Sequence, residues 1–242
     1  MGTISQARSD LSEILLVACD QAYEANILPG TLLAPFPDSQ PTPGTDIYPN
    51  AMPQGWSNLG LNQWVVFQRY DESATGFGAT VYRKENSDGK ADYIVAMQGT
   101  RGPNIQDWSG NLIYGWDKWD SPSATTARRM LNDLLNLTDV NKINFTGQSL
   151  GGALAQYALY DYATQLRQRH LNDSSQPDFN PSKVTLTTFN GLGGIEALTQ
   201  NRTDFNSSLL SGVDTAHFYV TNDLASRLGG GNLNGAGHEY LL

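Results

Sequence analysis

The chain has 242 residues, of which 39% are hydrophobic and 10% aromatic, so it is large enough for one domain with a packed core and is neither disordered nor fibrous. Its net charge is −9 without any basic run, so no nucleic-acid partner is expected. One cysteine and three histidines are too few ligands for a Cys/His metal cluster, and neither a metal nor an organic cofactor is predicted.

The N-terminal residues 1–20 lack the basic region and the sustained apolar stretch of a secretory signal. No window reaches the ~18 consecutive apolar residues of a membrane span, so no transmembrane segment is predicted. The compartment is not assigned. Secretion through a C-terminal signal and derivation from a longer parent chain stay open as hypotheses.

The first predicted element is an amphipathic helix over residues 9–26, in which apolar side chains recur at helical spacing. Cys19 lies in this helix and is predicted to be a small buried hydrophobe. Residues 28–57 contain seven prolines, a density that predicts a long irregular segment wrapping the core. Its apolar anchors would be Leu32, Leu33, Phe36, Tyr48 and Trp56.

The remainder of the chain changes from β-rich runs to strands that alternate with helices. Strands are predicted over residues 62–69, 78–83, 92–97, 143–146, 183–189 and 217–221, and helices over 150–168 and, weakly, 195–210. This order predicts an α/β fold with antiparallel lead-in strands and a mostly parallel central sheet flanked by helices on both faces. We expect a single domain over residues 1–242, with the helix and wrapping segment in 1–60 and the catalytic core in 61–242.

The strongest local signal is Gly147-Gln148-Ser149-Leu150-Gly151, a G-x-S-x-G run between a predicted strand and a predicted helix. A strand that turns directly into a helix forces its serine into a strained conformation and needs small residues two positions to either side. The hydroxyl then stands at a helix N-terminus, where the dipole favours developing negative charge. Ser149 is therefore predicted to be a nucleophile, and the alternative is a glycine-rich turn with a capping serine.

A serine nucleophile needs a histidine base, and the sequence contains three histidines. His170 would lie about 30 Å from Ser149, at the far end of the predicted helix. His217 falls inside a predicted strand and is interpreted as a packed or edge histidine. His238, in a glycine-flanked loop after the last predicted strand, is predicted to be the base.

The acid that orients this base is predicted from its position relative to the last strand. Asp214 precedes that strand and would lie at the opposite edge of the sheet, and Asp204 lies in a polar stretch before it. Asp223 follows the end of the strand by two residues. Because catalytic groups gather at the carboxyl ends of parallel strands, Asp223 is predicted to be the acid.

Backbone N–H groups that bind an oxyanion would complete the site. The strand over residues 92–97 is followed by a loop that usually donates one such N–H, and Thr100 is the predicted donor. The N–H of Leu150, directly after the nucleophile, is the predicted second donor. Two donors of this kind stabilise a transition state by several kcal/mol.

In their order along the chain, these motifs resemble those of the class 3 lipase family of α/β-hydrolases, over about residues 92–238. The matching stretches are Gln98-Gly99-Thr100, Asp107-Trp108 with Leu112, residues 146–155, Thr188-Phe189-Asn190-Gly191 and residues 221–228. The resemblance implies hydrolysis of carboxylic esters through an acyl-enzyme. It implies a lipid or other acyl-ester substrate, and Ser149, Asp223 and His238 as the catalytic triad.

Two alternatives to a lipase or esterase stay open: a phospholipase A-type acyl hydrolase, and a catalytically dead hydrolase-like binding module. The resemblance also suggests a mobile cover near the oxyanion loop, where three of the five tryptophans fall within twelve residues. Two of these, Trp108 and Trp116, are predicted to contact the acyl chain, the alternative being that they pack against the sheet. Transient contact with a lipid interface is a further expectation.

Overall fold

The computed structural model describes residues 6–24, 27–34, 59–72, 77–99, 122–220, 231–233 and 238–241. Within these ranges, seven strands form one sheet in which the order of the strands follows the chain. They are β1 (Val65–Glu72), β2 (Phe77–Glu85), β3 (Ala91–Met97), β4 (Val140–Gln148), β5 (Val184–Phe189), β6 (Asp214–Tyr219) and β7 (His238–Leu241). The first three strands pair antiparallel and β3 to β7 pair parallel, so the predicted lead-in strands and parallel sheet are confirmed.

Helices cover both faces of this sheet. The N-terminal helix α1 (Gln6–Gln21) packs on one face, and α2 (Pro122–Leu135), α3 (Leu150–Asn172) and α4 (Ile195–Asn201) lie on the other. The crossovers from β3 to β4 and from β4 to β5 run through α2 and α3 on the same face. This arrangement is expected when crossovers of one hand advance along a sheet in one direction.

Successive side chains of a strand point to opposite faces of the sheet, and helices cover both faces, so the central strands are buried on both sides. In β3, Tyr93, Val95 and Met97 belong to the apolar cluster around α3. Ile94 and Ala96 belong to the cluster around α1. Cys19 in α1 is fully buried, as predicted, and its Sγ lies 3.2 Å from the Thr146 hydroxyl oxygen. Burial raises the pKa of this thiol to about 12, so it is not a nucleophile at neutral pH.

Part of the predicted wrapping segment is attached to the edge of the sheet. The N–H of Leu33 donates to the Trp64 carbonyl (2.9 Å), and the N–H of Val66 donates to the Thr31 carbonyl (2.7 Å). Leu33 is buried, but Leu32 is half exposed and does not act as the apolar anchor that was predicted. The other predicted anchors, Phe36, Tyr48 and Trp56, lie outside the described residues.

The end of the chain differs from the prediction. His238 was expected in a loop after the last strand, but it is the first residue of β7, which pairs parallel with β6 from His238 opposite Ala216 to Leu241 opposite Tyr219. Four residues are too short a run to predict a strand, since their conformation depends on the edge of β6 that they pair with. The strand β6 also begins three residues earlier than predicted, at Asp214.

Candidate active site

Ser149 occupies a sharp turn between β4 and α3. Its backbone has φ 54° and ψ −127°, a sparsely populated conformation that costs of order 1–3 kcal/mol and persists only where the surroundings fix it. Three backbone hydrogen bonds hold the turn. The N–H of Ser149 donates to the Phe189 carbonyl (3.2 Å), and the Ser149 carbonyl accepts from Gly152 and Leu192 (3.0 Å each). Ser149 is partly exposed and lies at the carboxyl end of the sheet.

Glycine is required on both sides of this turn because other backbone segments pass too close for a side chain. A Cβ on Gly147 would lie 2.1 Å from the Gly151 carbonyl oxygen, and a Cβ on Gly151 would lie 2.2 Å from the Met97 carbonyl oxygen. Such separations are far shorter than any van der Waals contact. The crowding expected from the G-x-S-x-G pattern is therefore present, and it extends to the end of β3.

The end of β3 lies beside Ser149, which is the geometry that an oxyanion pocket needs. Met97 is in register with Gly147 in β4, and the N–H of Gly99 donates to the Tyr23 hydroxyl (2.9 Å) at the end of α1. Leu150 is the first residue of α3, where a backbone N–H has no acceptor within the helix. Thr100, the predicted partner donor, lies outside the described residues, directly after Gly99.

His217 is part of the core and is engaged at both ring nitrogens. It is fully buried, its Nδ1 lies 2.8 Å from the Thr188 hydroxyl and its Nε2 lies 3.2 Å from the Leu233 carbonyl oxygen. A carbonyl can only accept, so Nε2 carries the proton and Nδ1 accepts from Thr188. Burial lowers the pKa of His217 to about 4. The interpretation of His217 as a packed histidine is confirmed.

The backbone of His238 is not adjacent to Ser149. It lies in the row of Ala216, Thr187 and Thr146, three residues below Ser149 along the strands, and β5 and β6 separate β7 from β4. Three strand spacings of about 4.8 Å place it roughly 14 Å across the sheet from β4. A triad that includes His238 therefore requires the start of β7 to lie closer to Ser149 than the strand pairing places it.

The predicted acid, Asp223, lies outside the described residues, as do Trp108 and Trp116. Its two competitors are described. Asp214 begins β6 opposite Thr185, about 16 Å from the row of Ser149, and forms an ion pair with Arg8 (2.9 Å). Asp204 is exposed and lies 3.4 Å from Arg202. Neither carboxylate lies at the carboxyl end of the sheet beside Ser149.

Sequence reasoning assigned no role to two side chains that connect segments around this site. Gln156, on the second turn of α3, is fully buried and bonds to the loop after β5 and to residues 232–233. Asn190, with φ 44°, directly follows β5 and accepts a hydrogen bond from the N–H of Val220 (2.7 Å), three residues before Asp223. The Asn190-Gly191 pair after a strand was a usable signal for the turn. No pattern in the sequence indicates the role of Gln156.

Within the described ranges, no group of His, Cys, Asp and Glu residues is arranged to hold a metal ion. The described helices include none with both the length and the apolar character needed to cross a membrane.

Comparisons with known proteins place this arrangement in a family. The family model for a phospholipase-like group, the Tle-like phospholipase domain, matches residues 37–165, more than half of the chain. No curated protein sequence matches significantly. Among solved structures, a mutant form of MDLA from Penicillium cyclopium is 15% identical, with a TM-score of 0.55, and the match covers 99% of this chain and 81% of that one. Lipase II from Rhizopus niveus is 13% identical, with a TM-score of 0.45 and coverage of 74% and 67%.

The fold shared with the Penicillium protein confirms the predicted α/β-hydrolase fold. The family match supports ester hydrolysis as the kind of activity, and it agrees with the class 3 lipase-like family predicted from the motifs. Because the match includes β1 to β4, the Ser149 turn and the first half of α3, this chain belongs to the family of the Tle-like phospholipase domain.

Proposed function

We propose that this protein hydrolyses carboxylic esters of lipids through an acyl-enzyme, with Ser149 as the nucleophile. The observation that carries the proposal is the strained Ser149 turn, held between a strand and a helix N-terminus at the carboxyl end of the sheet. Strain of this kind persists where function needs it, and the helix dipole favours the negative charge that forms during acyl transfer.

In the proposed reaction, the Ser149 hydroxyl attacks the acyl carbonyl and its proton passes to His238. The carbonyl oxygen becomes an oxyanion that accepts from the N–H groups of Leu150 and Thr100. Collapse of the tetrahedral intermediate returns the proton to the departing alcohol and leaves an acyl ester on Ser149, which water then cleaves by the same steps. Asp223 would orient the imidazole and stabilise its charged form.

The choice of His238 as the base is supported by the state of the other two histidines. His217 already uses both ring nitrogens inside the core. His170 lies near the C-terminal end of α3, where its Nδ1 is 2.7 Å from the Gln176 carbonyl oxygen. The proposal therefore includes an approach of the start of β7 towards Ser149 when substrate is bound.

A phospholipid is the favoured substrate class because the matched family is described as phospholipase-like. Trp108 and Trp116 would then contact the acyl chain, and contact with a lipid interface would be transient. The alternative from another class is a binding module that has the hydrolase fold but does not turn over esters.

Labelling with a fluorophosphonate tests the nucleophile directly. The wild-type protein and the Ser175→Ala variant, which changes an exposed serine far from the site, should be labelled, and Ser149→Ala should not. Equal labelling of Ser149→Ala would refute the assignment. An unlabelled wild-type protein that still binds phospholipid vesicles would favour the binding module.

Hydrolysis of phospholipids, triacylglycerols and nitrophenyl esters of increasing chain length then separates the substrate classes. A phospholipase should release fatty acid from phospholipid vesicles faster than from a triacylglycerol emulsion. A preference for short nitrophenyl esters without phospholipid cleavage would instead favour a simple esterase.

The base is tested with His238→Ala, using His170→Ala as the matched control on the surface of α3. The first variant should lose activity nearly as completely as Ser149→Ala, because the two residues act as one unit. Wild-type turnover by His238→Ala would show that the base is elsewhere.

A further inference from the structure

Gln156 makes more polar contacts than a single buried amide usually does. Its side-chain nitrogen donates to the Leu192 carbonyl (3.1 Å) and to Asn232 Oδ1 (2.9 Å), with the Gly152 carbonyl at 3.2 Å. Its side-chain oxygen accepts from the N–H groups of Gly194 (3.2 Å) and Leu233 (2.8 Å). Both N–H donors and both lone pairs of the amide are therefore used, and the side chain is fully buried.

The orientation of this amide is fixed by its partners. Two of them are backbone N–H groups, which can only donate, and Leu192 presents a carbonyl, which can only accept. Rotating the amide by 180° would place its NH₂ group against the two backbone N–H groups and its oxygen against the Leu192 carbonyl oxygen. Gln156 is thus a rigid connector between α3, the loop after β5 and the segment formed by Asn232 and Leu233.

The segment at 232–233 is fixed from a second side by β6. His217 Nε2 donates to the Leu233 carbonyl (3.2 Å), and the side-chain amide of Asn232 donates to the Tyr219 hydroxyl. The backbone of Leu233 is therefore held at its N–H by Gln156 and at its carbonyl by His217. Asn232 and Leu233 are both buried.

This fixed segment lies between the proposed acid and the proposed base along the chain. Asp223 precedes Asn232 by nine residues and His238 follows Leu233 by five. The nucleophile belongs to the same network, since the Leu192 N–H donates to the Ser149 carbonyl and the Leu192 carbonyl accepts from Gln156. A continuous set of hydrogen bonds thus runs from Ser149 through Leu192 and Gln156 to Leu233.

We infer that Gln156 is a positioning residue for catalysis, which ties the loop after β5 and the 232–233 segment to the nucleophile helix and so fixes the turn that holds Ser149. This inference rests on the proposed function. Small displacements of catalytic groups are costly, and a misplacement of 1 Å can lower turnover about 100-fold.

The test compares Gln156→Leu with Asn144→Leu as a matched control. Asn144 is also a buried amide, which donates to the Tyr93 carbonyl (3.0 Å) and accepts from the Thr185 hydroxyl (2.8 Å), but these partners lie in β3 and β5 rather than in the loop after β5 or at 232–233. Both variants lose a satisfied buried amide, so both should lower thermal stability. Only Gln156→Leu should lower kcat, by about 10-fold to 100-fold with little change in KM, and shift the pH profile of kcat/KM.

The conservative variants refine this test. Gln156→Glu keeps the acceptor for the N–H groups of Gly194 and Leu233 but cannot donate to Leu192 or Asn232, so its kcat should lie between wild type and Gln156→Leu. If Gln156→Leu does not fold, Gln156→Glu and Asn232→Leu, which removes one arm of the network, give the same comparison against Asn144→Leu. Equal kcat losses in the Gln156 or Asn232 variants and in Asn144→Leu, or no loss in any of them, would overturn the inference.

A readout that does not depend on activity separates this inference from the proposed function. Hydrogen exchange at the Leu233 amide should be slow in wild type and in Asn144→Leu, and at least 10-fold faster in Gln156→Leu. If the wild-type protein proves inactive towards esters while this exchange pattern holds, the proposed function fails and the network stands without its catalytic role. Fast exchange at Leu233 in wild type would refute the network itself.

Discussion

The two ends of the parallel strands are built differently, although the same strands form both. At the carboxyl end lie Ser149 and Asn190, the two non-glycine residues with positive φ within the described part of the chain. At the amino end, the described contacts are ion pairs and an open pocket: Arg83 pairs with Asp139 (2.9 Å), Arg8 pairs with Asp214 (2.9 Å), and a pocket of about 300 Å³ with mixed polar and apolar lining lies beside α2. Among the described residues, the non-glycine residues with backbone strain and the closest backbone approaches thus lie at the end where chemistry is proposed.

This contrast implies that substitutions at the carboxyl end lower the activity, or lower the stability where the backbone segments pack too closely to adjust. Substitutions at the amino end should act weakly, and on stability alone. The following changes test the contrast, beginning with the largest expected effect.

Replacement of the nucleophile should have the largest effect on activity and almost none on folding. In Ser149→Ala, turnover should fall by roughly 10⁴-fold or more, because only binding and the oxyanion donors remain. The melting temperature should stay within a few degrees of wild type, since Ser149 is partly exposed and its side chain forms no capping hydrogen bond with α3. A large loss of stability would indicate that the serine has a structural role in the turn.

Gly151→Ala should cause the largest loss of stability. Its Cβ would lie 2.2 Å from the Met97 carbonyl oxygen, so the end of β3 would have to move away from the Ser149 turn, at a cost of about 3 kcal/mol. The control is Gly212→Ala near the amino end of β6. Gly212 has φ +94°, but its nearest neighbour would be 3.6 Å away, so only backbone strain of about 1 kcal/mol is expected.

Urea unfolding of the two glycine variants measures the difference. Similar losses in both would show that positive φ, rather than the approach of β3 to the Ser149 turn, determines the cost. Activity in the folded fraction should fall in Gly151→Ala and persist in Gly212→Ala.

What could be predicted from the sequence was local. The Ser149 turn and its glycines follow from steric rules that act within a few residues, and the alternation of strands with helices indicated the parallel sheet. The helix α2 was also predictable, because Ala127, Met130, Leu131 and Leu134 form a helical apolar stripe, but it was not identified.

What could not be predicted depended on contacts between distant segments. β7 has four residues and exists as a strand because β6 offers it an edge. Gln156 is one polar residue among several in α3, and its importance comes from Leu192 and Leu233, which are 36 and 77 residues away. The triad residues Asp223 and His238 remain predictions.

The buried His217 should make the stability of the protein depend on pH. Its pKa is lowered from an ordinary 6.5 to about 4 in the folded state, mainly by burial, so the unfolded state binds a proton first as the pH falls. Stability is fully present above pH 6.5 and is lost between pH 6.5 and pH 4, by up to about 3 kcal/mol. His217→Gln cannot titrate, and its loss over this window should be smaller by that amount.

Unfolding by urea at pH 7, 5.5 and 4 measures this difference, with His170→Gln as a control at a partly exposed histidine outside the core. Because carboxylates also titrate in this window, the comparison between variants carries the result rather than either curve alone. Parallel curves for wild type and His217→Gln would show that the buried imidazole is not the group responsible.

The smallest effect is expected at the amino end of β6. Asp214 pairs with Arg8 across 2.9 Å, but 59% of its side chain is exposed, so water and salt screen the attraction. Asp214→Asn keeps the shape of the side chain and removes only its charge, and exposed pairs of this kind contribute about 0–1 kcal/mol. Turnover should be unchanged, because Asp214 lies opposite Thr185 and far from the row of Ser149. Adding salt should narrow the small stability difference further.

If Asp214→Asn instead lost nearly all turnover while Asp223→Asn stayed active, the assignment of the acid would be reversed. The distinction between the two ends of the sheet would then fail as well, because a charge at the amino end would be controlling chemistry at the other.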